Sequence, residues 1–397
     1  MPAQKSSPKA ETENTWVPFY VPSTDRREER EVIEAIRSGW LTSGPKVKLF
    51  EQKVCEYTGA RHAVAVNSCT AAMHVALGAA GVGKGDEVIT SPYTFAATGE
   101  AILYVGARPV FADIDPVTLN IDPEQVQRAI TRKTRAIIPV HMAGLACAMD
   151  AILPMARRGR IRVIEDAAHA FGTSWNGRRV GAIGDATCFS FYATKNLTTG
   201  EGGMLTTDDA KLAEKARRLS LHGLSHGAWN RYSRAGSWRY DVVDLGFKYN
   251  MTDPAAGLGL AQLAKFDAMQ RRRRGLARSY ERMLAPMGAF DLPVESARGT
   301  HAWHLYIIRI KPRVLKIGRD KMIDELRERG IGTSVHFQPL HLFSYYRKTF
   351  GYRKGAYPVT ERESARAISL PFYPSLSRQA QERVVEVIED VVMRHRR

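Results

Sequence analysis

ATCFSFYATKNLTTGEGG, residues 186–203, opens as a short apolar run and stops at a lysine, Lys195, ahead of a glycine-rich turn at residues 200–203. A run of that length, bounded by polar and glycine residues, reads as a buried strand, and the turn after it as flexible. Similar runs lie upstream: HAVAV at 62–66, EVIT at 87–90, RPVFAD at 108–113, RAIIPV at 135–140 and RVIED at 162–166. A helix-like segment follows each, and before RAIIPV the pair Asp122-Pro123 supplies a cap and first-turn proline for PEQVQRAI. Strands alternating with helices form a mostly parallel sheet covered on both faces, an α/β fold.

Toward the N-terminus, TDRREEREVIEAIRSGW offers Asp25 as a cap, Val32, Ile33 and Ile36 as an apolar stripe, and Gly39 as a stop, which makes a surface helix. Residues 1–15 are polar, lack the apolar core of a signal peptide and are expected to be a flexible tail. Nowhere do about 18 uncharged apolar residues run together, so membrane insertion is not expected.

After residue 265 the rhythm changes. The Arg-rich helical stretch AQLAKFDAMQRRRRGLARSYERML leads into strand-like WHLYIIRI, a helix around KMIDELRER closed by Gly330, and strand-like IGTSVHF. The terminal RQAQERVVEVIEDVVMRH carries Val384, Val385, Ile388, Val391 and Val392 on one helical face. The expected division is a large α/β domain over 16–265 and a smaller α+β domain over 266–397.

A length of 397 residues allows two or three domains with a full core, and 44% hydrophobic with 25% charged residues is ordinary for a soluble enzyme. Cys55, Cys69, Cys147 and Cys188 are too scattered for a zinc knuckle or redox motif, so no metal site is expected. They read as reduced thiols in the cytoplasm. A net charge of +17 attracts phosphate-bearing molecules of any kind. Its densest run, Arg271 to Arg274, reads as a solvated helix face; a nucleic-acid patch is the alternative, but no recognisable binding signature accompanies it.

In a parallel sheet ligands bind beyond the carboxyl ends of the strands. HAVAV ends in Asn67-Ser68-Cys69-Thr70 before AAMHVAL, a helix start whose free N–H groups would hold a phosphate, although Ser68 and Thr70 also read as plain caps. RVI delivers Glu165 and Asp166 with His169 behind them; singly, such an Asp is a turn former and such a His an interior group. Lys195 ends the third run. Desolvation lowers the pKa of a buried lysine, and the neutral amine forms Schiff bases; pairing with Glu201 or Asp166 is the bland alternative. Anchor, carboxylate and amine in that order are what pyridoxal phosphate needs.

These residues resemble the nucleotide-sugar aminotransferases of the DegT/DnrJ/StrS group within the fold type I pyridoxal-phosphate enzymes, from about Tyr20 to the C-terminus. The resemblance is carried by NSCTAAMH at 67–74, GDEVITSPYTFAAT at 85–98, AIIPVHMAG at 136–144, VIEDAAHAFG at 163–172, FSFYATKN at 189–196, EGG at 201–203 and GFKYNMTD at 246–253. It implies a mostly parallel seven-stranded sheet flanked by helices, with a smaller C-terminal domain. It further implies that Lys195 is the Schiff-base lysine and proton shuttle, that Asp166 holds the pyridine nitrogen, that His169 lies against the phenolic oxygen and that Phe95 stacks on the ring. Cys69, Thr70 and Ser190 would hold the phosphate, with Asn250 reaching in from a second subunit of a homodimer. Asn250 also reads as part of a helix start, with Asp253 as cap and Pro254 in the first turn; Pro254 departs from the family's aliphatic residue.

The family's chemistry implies that L-glutamate leaves as 2-oxoglutarate, the amine waits as pyridoxamine phosphate, and a keto sugar accepts it in a ping-pong cycle. Family members with histidine at the lysine position are sugar dehydratases, and this chain keeps Lys195. HAWHLYIIRI at 301–310 and GIGTSVHFQPLHLFSYY at 330–346 look most like enzymes that aminate the fourth carbon of UDP-linked 4-keto sugars, including the 4-amino-4-deoxy-arabinose enzyme of lipopolysaccharide amino-sugar biosynthesis. By that resemblance His336 faces the sugar or nucleotide, against ordinary interior packing. Arg231 and Arg239 in WNRYSRAGSWRY would meet the pyrophosphate, or form a solvated loop. A dTDP-keto-sugar 3- or 4-aminotransferase and a non-catalytic cofactor-binding regulator are the alternatives, the latter having no need to keep Lys195 and Asp166 together.

Overall fold

The computed structural model describes residues 16–225 and 240–397. The apolar runs become β1 (His62–Val66), β2 (Glu87–Thr90), β3 (Arg108–Phe111), β4 (Thr134–Ile138) and β5 (Arg162–Asp166). A short hairpin, β6 (Ser174–Trp175) and β7 (Arg178–Arg179), precedes β8 (Ala186–Ser190) and β9 (Gly203–Thr207). Seven of these form one sheet in the order β1-β9-β8-β5-β4-β2-β3. Only β9 runs against the rest.

Alternate side chains show why both faces are covered. Ile89, Ile137, Val163, Phe189 and Met204 join one apolar cluster, while their neighbours Val88, Ile138, Ile164, Cys188 and Leu205 join another. Residues one apart on a strand point to opposite faces, so a helical layer must cover each side.

The strand β9, not expected from the sequence, follows the glycine-rich turn and shares only Gly203 with it. Its threonines are buried but satisfied, Thr206 Oγ1 donating to the Gly181 carbonyl (2.8 Å) and Thr207 Oγ1 to that of Asp185 (2.6 Å). Its first residue has no room for a side chain: a Cβ on Gly203 would lie 2.3 Å from the carbonyl carbon of Ser68.

Beyond the sheet, β10 (Phe290–Asp291), β11 (Ile307–Ile310) and β12 (Ala367–Ser369) make a three-stranded antiparallel sheet. The terminal helix Arg378–His395 buries Val384, Val385, Ile388, Val391 and Val392 in a core shared with Leu276 and Tyr280 of the helix Phe266–Leu284. Val17 joins the same core and bridges to Ile331. No described helix is long and apolar enough to cross a membrane.

Several expectations are corrected. Only the last four residues of WHLYIIRI pair as a strand. IGTSVHF forms isolated bridges, Ile331 to Val17 and Ser334 to Ser369, because its backbone turns to meet the large sheet: Tyr93 Oη donates to the His336 carbonyl (2.7 Å). The long Arg-rich stretch is two helices, Asp253–Ala264 and Phe266–Leu284, broken at Lys265, whose ammonium is drawn to Asp25 (3.0 Å) and Glu28 (2.7 Å). Within the Arg271 to Arg274 run, Arg273 is buried and donates to the carbonyls of Trp303, His304 and Phe372. On the first helix, Arg26–Arg37, Ile33 and Ile36 of the apolar stripe are exposed, and Glu28 and Ala35 are the buried residues.

Asp253 does not cap its own helix. Thr252 does that, and the buried Asp253 carboxylate instead accepts from Gly44 N (2.7 Å), Lys46 N (3.0 Å) and Val47 N (3.0 Å) at the start of the helix Pro45–Thr58. One side chain thus satisfies the orphan donors of a second helix. Asp253→Ala is expected to cost about 3 kcal/mol or more in urea unfolding, because buried donors are left unpaired. A loss within about 0.5 kcal/mol would contradict this role.

Candidate active site

Strands β1, β5 and β8 share a direction, so the residues that follow them emerge at one edge of the sheet. There they line a cavity of about 570 Å³. Cys69, Thr70 and Ser190 lie along it, as do Phe95, Asp166 and His169, and so do Lys195 and His336. Asn250 does not line it; its amide donates to Ser43 Oγ (2.9 Å) and Thr42 Oγ1 (3.3 Å), and Lys248 donates to its side-chain oxygen. Arg231 and Arg239 lie outside the described residues.

The helix Cys69–Ala79 starts beside Lys195's turn. Ser68 Oγ accepts from Ala71 N (3.0 Å), leaving the N–H groups of Cys69 and Thr70 outside the helix's own ladder. Glycine is required where β9 begins, since side chains at Gly202 and Gly203 would strike Thr199 and the Ser68–Cys69 peptide. The close approach brings the helix's positive end to the mouth of the cavity, a place suited to an anion.

Asp166 ends β5 and is buried at 5% exposure, yet it does not pair with the lysine. Oδ2 accepts from Thr98 Oγ1 (2.7 Å) and Oδ1 from Ala168 N (3.1 Å). Lys195 is partly buried. Burial pulls its pKa down to about 8, against the opposing pull of Asp166, so a substantial fraction is neutral amine near neutral pH. Glu201, the other acid considered as a partner, is exposed.

A second layer adds histidines. The His169 ring lies 4.4 Å from that of His304, and burial holds both well below the ordinary histidine range. Among the described residues, His169 Nδ1 is buried without a hydrogen-bond partner. His304 Nδ1 faces Asn196 Oδ1 (3.1 Å), while Asn196 Nδ2 donates to the Ala302 carbonyl (2.6 Å); the amide's oxygen therefore faces the ring and fixes the proton on Nδ1. His336, pushed down to about 4 by burial and by Lys195, contacts Ser369 Oγ through Nδ1 (2.9 Å) and stacks on Phe19 at 5.6 Å. Phe95 is 62% exposed and presents its ring at the cavity wall, 5.9 Å from Phe337.

Behind Asp166, His141 Nε2 meets Glu165 Oε2 (2.9 Å), both fully buried. Cys147 N donates to His141 Nδ1 (3.0 Å), so the imidazole carries its proton on Nε2 and gives it to the carboxylate. Motif reading named Glu165 but missed His141, His304, Thr94 and Thr98. All of them sit inside quoted motifs, and the spacing of Thr94 and Thr98, four apart at a helix start, was the available signal.

Among the described residues, an amine without an ion-pair partner, a carboxylate held apart from it, free helix-start amides and an unsatisfied imidazole nitrogen fit pyridoxal phosphate. Fold and cavity together define a fold type I pyridoxal-phosphate-dependent aminotransferase. The chain belongs to the DegT/DnrJ/EryC1/StrS aminotransferase family, whose model matches residues 22–389. The spore coat polysaccharide biosynthesis protein SpsC of Bacillus subtilis is 50% identical over 380 residues, 96% of this chain and 98% of that protein. The putative sugar aminotransferase Spr1654 from Streptococcus pneumoniae, in its PMP form, superposes with a TM-score of 0.90 at 34% identity, covering 95% of this chain and 99% of that one. Helicobacter pylori PseC, an aminotransferase involved in the biosynthesis of pseudoaminic acid, gives 0.88 at 26% identity over 96% and 100%. The chain is a sugar aminotransferase, and pyridoxal phosphate is its cofactor, as in the PLP form of Spr1654.

An amine-directed reagent applied to the cofactor-free protein should label Lys195 with a midpoint near pH 8. Followed by peptide mass spectrometry, a midpoint near that of a free lysine, about 10.4, would show that the amine is not desolvated.

Proposed function

We propose that this enzyme moves the amino group of L-glutamate to the fourth carbon of a UDP-linked keto sugar, with Lys195 as its proton carrier and each active site shared between two copies. The observation that carries the reading is Lys195, without an ion-pair partner among the described residues, in one cavity with Asp166, whose carboxylate is engaged by Thr98 and Ala168. Bound pyridoxal phosphate supplies an aldehyde that holds the amine and a ring that accepts the electrons released as a proton leaves carbon.

The chain's own residues do the rest. Lys195 Nζ, neutral in part at pH 7 to 8, takes the proton from the donor's alpha carbon and returns one on the cofactor side, and the reverse order serves the sugar. The Asp166 carboxylate would accept a hydrogen bond from the protonated ring nitrogen and keep the proton there. The Cys69 and Thr70 amides, with Ser190, hold the phosphate, His169 Nδ1 meets the phenolic oxygen, and Phe95 covers one face of the ring. His336 faces the sugar or its nucleotide. The names of SpsC, a spore coat polysaccharide biosynthesis protein, and of PseC, tied to pseudoaminic acid, support a saccharide acceptor.

Sharing of the site is supported by Asn250. It bridges Val66 at the end of β1 without lining its own chain's cavity, and its amide is bonded to Thr42 and Ser43, which follow the exposed Trp40 and Leu41 in the chain; Ile33, Ile36 and Leu49 add to the exposed apolar residues of the first two helices. Such a surface is suited to a second copy. Four free cysteines support a reducing compartment, and we place the reaction in the cytoplasm.

The test supplies pyridoxal phosphate and L-glutamate with UDP- or dTDP-linked 4-keto sugars and measures 2-oxoglutarate and amino sugar. The UDP sugar should turn over, and Lys195→Ala should lose about a thousandfold or more. Turnover only with the dTDP sugar would move the substrate assignment to that nucleotide; turnover with neither would contradict the 4-keto nucleotide-sugar assignment. Mixed dimers of Lys195→Ala and Asn250→Ala chains should regain activity that neither variant shows alone, because one of the two sites is then intact. No recovery on mixing would contradict the shared site.

A further inference from the structure

We propose that Thr94 and Thr98 form a hydroxyl relay that holds the Asp166 carboxylate ionised and aimed at the cofactor's ring nitrogen, which makes Thr98 a positioning residue for the reaction. This rests on the reading of Asp166 as that nitrogen's partner.

Both hydroxyls are buried, Thr98 at 0% and Thr94 at 2% exposure. Thr94 Oγ1 lies 2.7 Å from Thr98 Oγ1, which lies 2.7 Å from Asp166 Oδ2. An ionised carboxylate only accepts, so Thr98 must give its proton to Asp166. Its oxygen then accepts, and the proton between the threonines belongs to Thr94. Both donors therefore point one way and end on the carboxylate.

A threonine near a helix start ordinarily caps the backbone or bonds the carbonyl four residues back. Here the N-cap of the helix Ala96–Tyr104 is Phe95, with no side-chain cap, and Thr98 turns to the residue four back through its hydroxyl rather than its carbonyl. The other carboxylate oxygen is occupied by Ala168 N (3.1 Å), and the backbone of Asp166 is pinned by its N–H to the Pro139 carbonyl (2.9 Å) and by His141 N to its own carbonyl (3.1 Å). With one donor on each oxygen, a carboxylate still has room for the ring N–H.

Hydrogen bonds to a carboxylate are stronger than neutral ones and favour its ionised form. Removing the Thr98 hydroxyl takes one donor from the carboxylate and leaves it less firmly aimed, so the ring nitrogen keeps its proton less well. The thiols nearest Asp166, Cys69 and Cys188, are held protonated by burial. The nitrogen's proton is thus the quantity to read.

Wild type, Thr98→Val, Thr98→Ser and Thr94→Val, each loaded with pyridoxal phosphate labelled with ¹⁵N in the ring, are followed by nitrogen NMR across a pH series. In Thr98→Val the midpoint for loss of the ring proton should fall by about one unit, a tenfold change, from loss of one charge-assisted bond. Thr98→Ser should match wild type, and Thr94→Val should shift the same way by less. A wild-type midpoint in Thr98→Val overturns the relay, as does a Thr98→Ser shift as large as that of valine. Should Thr98→Val not fold, an unshifted Thr94→Val overturns it. A wild-type ring nitrogen that is never protonated would instead remove Asp166 as its partner, and the relay with it.

Discussion

A lysine and a carboxylate that line one cavity attract one another, and this site depends on keeping them apart. At 4 Å and an effective dielectric of 20, an ion pair is worth about 4 kcal/mol, or roughly three pKa units in favour of the ammonium. Paired, Lys195 would be useless as a nucleophile or base near neutral pH. Asp166 is prevented from pairing by two donors on its oxygens and by backbone bonds to the neighbouring strand end. Lys195 is held from its own side: its N–H bonds the Tyr192 carbonyl (2.9 Å), and Asn196, next in the chain, is tied to Ala302 and His304. Burial lowers the lysine pKa, and the separation keeps Asp166 from cancelling that effect.

The same restraint explains how the second part of the chain serves the first. Arg273 places its guanidinium on the carbonyls of Trp303, His304 and Phe372 rather than in solvent, fixing the backbone of two cavity-lining residues. Burial lowers its pKa to about 10, still charged at any working pH. The segment carrying His336 is pulled onto the large sheet by Tyr93 and by Leu340 N to the Pro92 carbonyl (2.9 Å). Neutral imidazoles on this wall, His304 and His336, add polar contacts without adding positive charge beside the lysine.

The central strands were legible because buried parallel strands read as continuous apolar runs, and β1, β2, β5 and β8 begin where HAVAV, EVIT, RVIED and ATCFSF do. Strand β9 was not, since a five-residue run with one glycine and two threonines gives no apolar signal until Ser68 is seen pressing on Gly203. The terminal amphipathic helix was legible from its valine stripe; the stripe on Arg26–Arg37 misled, because an apolar face can point out of a single chain as well as into it. The motifs marked Lys195, Asp166 and His169 as one group, and these do line one cavity. What motifs could not give was direction. That Asp253 serves a helix 200 residues away in sequence, and that Thr98 turns to Asp166, follow from tertiary approach rather than local pattern.

The most direct measurement is to load the protein with pyridoxal phosphate, reduce it with borohydride so that the cofactor is fixed to whichever lysine holds it, and map the modified peptide by mass spectrometry. Modification at Lys195 alone, abolished when L-glutamate is added before the reductant, is the predicted result. Modification spread over surface lysines, or concentrated on any other residue, would contradict the assignment of this cavity as the catalytic centre.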